Sequence, residues 1–141
     1  MEHEIHSQIK TVFALENVAR ATTTITTAEI DTKGFESFEW LVNVGDAFVG
    51  GGYTFVAQQS PDDGSGSPTG VWTAVPAADL RGANMVVSIA DTDKVFRQGV
   101  CGKERHQRLV GTETGTITGG SIGVDALLGH PQEGPVADQS T

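Results

Sequence analysis

Cysteine is almost missing from this chain. Cys101 is the single one in 141 residues, which excludes an intrachain disulfide and removes the basis for a cysteine-ligated zinc site. That usage fits a reducing compartment. Cations are scarce as well: 9 Lys and Arg stand against 18 Asp and Glu, for a formal charge of −9. A protein whose main task is to hold nucleic acid needs the opposite surplus, because phosphates are neutralised by Lys and Arg. Long apolar runs are lacking too, so nothing here is built to span a bilayer as a helix. Residues 1–10 mix Glu2, His3, Glu4 and His6 with isolated Ile5 and Ile9, without the apolar centre of a signal peptide. Neither a membrane nor direct nucleic-acid contact is expected.

What is abundant is glycine, at 18 residues, together with threonine throughout; both favour turns and pleated strands over helices. The length suits one domain. Residues 1–20 read as an N-terminal arm with a possible first strand over 9–15, residues 21–128 as the domain proper, and residues 129–141, with Pro131 and Pro135, as a C-terminal tail. The run ATTTITTAEI over 21–30 predicts a strand with a partly polar face. Asp31-Thr32-Lys33-Gly34 then supplies turn chemistry, since Asp bonds forward to the backbone and Gly tolerates positive φ.

The clearest period-two signal follows. Phe38, Trp40, Val42 and Val44 alternate with Ser37, Glu39, Leu41 and Asn43, the pattern of a half-buried strand with Trp40 on its core side. Tyr53, Phe55 and Ala57 resume the alternation, and residues 61–70 (PDDGSGSPTG) read as a flexible polar loop outside the core. Short strands are predicted at 71–75 around Trp72, 85–90, 95–100 and 105–110, with two thin ones over 112–124 and one helical turn over 76–80. Regular short strands with Gly and Asp turns imply an all-β sandwich. A jelly-roll-like antiparallel β-sandwich is the preferred version and an immunoglobulin-like sandwich the alternative.

Motifs for chemistry fail one by one. A phosphate loop needs glycine where Arg97 stands and Ser or Thr where Glu104 stands. Gly64, Gly66 and Gly70 are spaced one residue too long for a dinucleotide fingerprint, and the βαβ context is missing. His3-Glu4-Ile5-His6 has one residue, where a zinc protease needs two, between Glu and the second His. Asp62-Asp63-Gly64-Ser65 lacks the alternating carboxylates and distal Glu of a calcium loop and reads as an acidic loop tip. Among nucleophiles, Cys101 between Val100 and Gly102 reads as a small buried strand hydrophobe, and no Ser occupies a Gly-x-Ser-x-Gly turn. His106 and His130 read as surface or hydrogen-bonded histidines. No catalytic residue, cofactor or metal is expected.

One segment departs from the acidic background. Lys94, Arg97, Lys103, Arg105 and Arg108 face only Glu104, which makes them the candidate partner-binding residues. If residues 105–110 form a strand, Arg105 and Arg108 point to opposite sides. One is then placed to tie down an internal carboxylate, Asp31 being the candidate, and the other to meet an acidic partner; the plain alternative is two solvated arginines.

Four motifs occur in order with strands between them: Asp31-Thr32-x-Gly34-Phe35, Gln59-Ser60-x-Asp62-Asp63, Trp72, and Gly102-x-x-Arg105-x-x-Arg108. Over residues 21–131 this pattern resembles the capsid cement (decoration) proteins of tailed bacteriophages, in particular the jelly-roll cement protein of the Bordetella phage group. Here His106 stands where related sequences carry an aromatic. The resemblance implies a non-enzymatic homo-oligomer, dimer favoured and trimer possible, assembled in the bacterial host cytoplasm. It implies residence on the outer surface of the virion capsid, binding the major capsid protein and clamping neighbouring capsomers. Asp31, Gly34, Phe35, Trp40 and Trp72 are then structural. Two rivals are a phage tail or baseplate sandwich component and a carbohydrate-binding module that uses Trp40, Trp72 or Tyr53 as a stacking ring.

Overall fold

The computed structural model describes residues 4–102 and 104–133. A 3-10 turn (His6–Gln8) leads into β1 (Ile9–Ala19), followed by β2 (Ile25–Thr26), β3 (Ile30–Asp31), β4 (Phe35–Val44), β5 (Val49–Ser60) and β6 (Thr73–Ala74). After a second 3-10 turn (Ala77–Asp79) come β7 (Leu80–Arg81), β8 (Val86–Val87), β9 (Lys94–Val100), β10 (His106–Thr118) and β11 (Ser121–Pro131). One sheet runs β1-β11-β4-β9-β7; the other runs β2-β10-β5-β6, with β3 also on β10 and β8 also on β5, and every ladder is antiparallel. The last strand thus lies between the first and the fourth. This is the double Greek key of a jelly roll, not an immunoglobulin-like order.

The alternation that predicts β4 also builds the core. Phe38, Trp40, Val42 and Val44 are buried, and they meet Ile122, Val124, Ala126 and Leu128 of β11 on the same inner face. The Phe38 and Trp40 rings pack edge to face at 4.8 Å. From the second sheet, Tyr53, Phe55, Ala57 and Leu109 close the layer. The Tyr53 hydroxyl donates to the Ala21 carbonyl at 2.7 Å, so its burial leaves no orphan donor. Each such large side chain contributes roughly 1.5–3 kcal/mol on leaving water, which makes this sandwich interior the main source of stability.

Several local expectations change. The β-branched run 21–30 is not one strand but two pieces, β2 and β3, because buried Thr27 turns its hydroxyl to the ladder: Oγ1 accepts from the Leu109 N–H at 2.9 Å, while the Thr27 N–H donates to the Leu109 carbonyl at 3.0 Å. The strands predicted at 71–75 and 85–90 shrink to β6 and β8, both confined to short pairings with β5. The residues read as two thin strands over 112–124 are the end of β10 and the start of β11. Strand structure also begins at Ile9, within the stretch 1–20, and continues to Pro131; residues 134–141 of the expected tail lie outside the described residues. Cys101 is exposed, not a strand hydrophobe, because β9 ends at Val100. Its N–H instead donates to the Asp79 carbonyl at 2.7 Å.

Candidate interaction face

Three strands of the second sheet stop at the same level. His106, the first residue of β10, pairs with Asp31 at the end of β3 on one side and with Ser60 at the end of β5 on the other. Arg105 precedes the strand, so the predicted alternation of Arg105 and Arg108 does not apply to it. Its guanidinium instead forks onto Asp31, with Nε to Oδ1 and Nη2 to Oδ2 both at 2.7 Å, the internal tie that the sequence suggests. Nη1 reaches Asp62 Oδ1 at 3.2 Å. Buried His106 bonds the same Asp62 oxygen through Nε2 at 2.9 Å, which places the proton on Nε2 because an ionised carboxylate only accepts.

The electrostatics follow from these contacts. The Arg105 bond holds the Asp31 carboxyl down at about 2, and Asp31 in turn raises the Arg105 pKa. His106 is the foremost cause of the lowered Asp62 pKa. The backbone locks the same corner: Thr32 donates both its N–H (3.0 Å) and its hydroxyl (2.7 Å) to the Arg105 carbonyl. Asp31 Oδ1 accepts the Lys33 N–H at 3.0 Å, and Gly34, at φ 88°, turns the chain into β4 through a conformation that a Cβ disfavours.

The loop 61–70 is more closely built than its polar composition implies. Asp62 Oδ2 accepts the Gly64 N–H at 2.9 Å, and Asp63 Oδ1 accepts the Ser65 N–H at 2.7 Å and its hydroxyl at 2.6 Å. Asp63 N–H donates to Ser67 O at 2.8 Å and Thr69 N–H to Pro61 O at 3.0 Å. The two aspartates therefore organise the loop, and Asp62 docks it on Arg105 and His106.

Next to this corner, on the outer face of the same sheet, Arg108 lies opposite Gln58 and donates Nε–H to its Oε1 at 2.7 Å. Its guanidinium carbon sits 4.4 Å from the centre of the half-buried Trp72 ring, within cation–π range. Trp72 directly precedes β6, which sets it over β5 and beside Arg108. Val56 and Val110 form the next outward pair along the ladder.

The remaining basic candidates do not join this face. Lys94 is paired with Asp91 at 2.7 Å, and lowers the Asp91 pKa. Arg97 is on the outer face of the other sheet, its exposed side chain 3.7 Å from Glu39. Lys103 lies outside the described residues. Phe35 packs against the core edge and Trp40 is at its centre. Sequence reasoning missed the Asp62–His106 bond and the Arg108–Trp72 stack; the only signal for either is that their residues fall within the ordered motifs.

Across the first sheet runs a groove of ≈ 490 Å³ lined by Ile5, Ile9, Leu127, Glu39, Arg81 and His130 among others. There the Ser37 hydroxyl meets His130 Nδ1, but no carboxylate among the described residues bonds His130 to complete a nucleophilic set. Among the described residues no group of three or more His, Cys, Asp or Glu is placed to hold a metal ion, and no helix is long and apolar enough to cross a membrane.

No family model matches the chain, and neither does any curated protein. Among solved structures, the crystal structure of PirA aligns over 92% of this chain and 97% of its own, at 18% identity and a TM-score of 0.34; a likeness at that level carries no functional argument.

Proposed function

We propose that this chain is a structural, non-enzymatic virion protein that binds the outer surface of an icosahedral phage capsid and stabilises contacts between major capsid protein capsomers, working as a homo-oligomer with the dimer favoured. The observation behind this reading is spatial. Asp31, Asp62, Arg105 and His106 come from three separate stretches of the resembling pattern, yet they interlock at one corner, with Trp72 and Arg108 beside it. The ordered motifs therefore describe one built unit and not a set of unrelated turns.

The physical logic is that of a clamp. A rigid sandwich whose outer face is cross-braced loses little conformational freedom on binding. An interface of roughly 800 Å² per partner is enough for a stable contact, and oligomerisation raises the effective concentration of the second contact. Preferential binding to the expanded lattice shifts the shell toward that state.

Mixing the purified protein with expanded capsids assembled without it tests the reading. Saturable, stoichiometric binding and a higher capsid disruption temperature are expected; absence of binding sinks it. Half-buried Trp72 favours one other reading, a sugar-stacking platform, although the Arg108 guanidinium already covers a face of that ring. Glycan binding that disappears in Trp72→Ala would replace the capsid reading with that one.

A further inference from the structure

We infer that Arg108, stacked on Trp72 and oriented by Gln58, is the anchor for a carboxylate presented by the partner protein. The partner's identity rests on the capsid-binding reading, whereas the carboxylate chemistry rests on the site alone.

The case begins with how differently the cations of this chain are held. Arg105 and Lys94 are matched by Asp31 and Asp91. Arg108 is held by two neutral groups instead, an amide oxygen and a ring face. No carboxylate among the described residues lies within ion-pair distance of it. Guanidinium offers five N–H donors in a rigid fork, and only the Nε donor is engaged among the described residues. A half-buried charge without a counter-ion is unfavourable in isolation, and no acidic residue among the described residues supplies one here.

Held by Nε and by its flat face, the guanidinium keeps its terminal nitrogens in fixed geometry, the arrangement that binds a carboxylate through two parallel hydrogen bonds. The neighbours suit a protein contact. Val56 is 42% exposed and Val110 partly so, which gives an apolar margin able to exclude water around the pair. Trp and Arg are also the residue types that dominate interface energetics. A nucleic-acid phosphate fits the fork, but the −9 charge of the chain repels a polyanion.

The test has two arms. In the first, ¹⁵N-labelled protein is titrated by NMR with acetyl-Leu-Glu-Val-amide and with acetyl-Leu-Gln-Val-amide. Saturable shifts of the Arg108 Nε–H and Trp72 indole N–H are expected with the Glu peptide in the millimolar range, and at least about fivefold weaker binding with the Gln peptide. Equal responses, or none at either resonance, overturn the inference. Saturable shifts given only by maltohexaose or only by a thymidine oligonucleotide overturn it in favour of a sugar or a nucleic acid.

In the second arm, Arg108→Gln and Arg108→Lys, each checked for native circular dichroism, are bound to expanded capsids. Losses of about tenfold or more for Gln, and a smaller loss for Lys, are expected. Wild-type protein and Arg108→Gln binding equally well leave the capsid reading intact and end this inference. Failure of the wild type to bind capsids ends the capsid reading, while the peptide titration still decides the anchor.

Discussion

The β5–β10 ladder is finished in opposite ways at its two ends. At the His106 end, charged side chains from three segments interlock around Asp62 and Arg105. At the other end, Gly50, Gly51 and Gly52 run against Thr114, Gly115 and Thr116 with the backbones nearly touching. A Cβ on Gly51 would overlap the Thr114 carbonyl, and one on Gly52 the Val87 carbonyl. The ladder also shifts register between Gly115 and Thr118, the mark of a bulge that bends the strands. One end is thus specified by side-chain chemistry and tunable by pH, the other by the absence of side chains and sensitive only to volume.

The sharpest way to break that contrast is Gly51→Ala. The clash is with backbone, which has no rotamer to escape into, so a loss of about 3 kcal/mol or more is expected in urea unfolding. At the charged end, His106→Ala removes a buried, hydrogen-bonded ring, and about 2 kcal/mol is expected by the same measurement.

A smaller effect, about 1 kcal/mol after allowing for solvent screening, is expected for Asp31→Asn, because the Asp31–Arg105 pair is partly exposed. Its sign with pH is fixed. The folded-state pKa of about 2 lies below the usual carboxylate value near 4, so the contribution is complete above about pH 4 and disappears as pH falls toward 2. Wild-type and Asp31→Asn unfolding curves should therefore converge across that window, while Gly51→Ala keeps its deficit at every pH. Least of all, Cys101→Ser should change stability by no more than about 0.5 kcal/mol, and native Cys101 should react fully with a thiol reagent because it is exposed.

The sandwich class and the β4 core face were legible in the residues because each depends on a short-range rule, period-two burial or turn chemistry. Harder were the features decided by neighbours distant in sequence. Nothing within ATTTITTAEI announces that Thr27 will interrupt its strand, since the cause is the Leu109 backbone on β10. Trp72 and Arg108 meet only because β6 and β10 flank β5 on opposite sides. Loop 61–70 looks unstructured by composition, yet its aspartates find backbone N–H groups two residues ahead, a local device that residue counting overlooks.

The place of β11 between β1 and β4 has a kinetic consequence. On the ribosome β1, β4, β7 and β9 emerge before their sheet can close, because Ile9 must wait for Gly129 and Trp40 for Ala126. Such distant pairings slow two-state folding by orders of magnitude relative to local topologies. The nascent polypeptide therefore carries unfilled strand edges until β11 has been made, which makes the interval before that strand emerges the one most exposed to misassembly and chaperone capture.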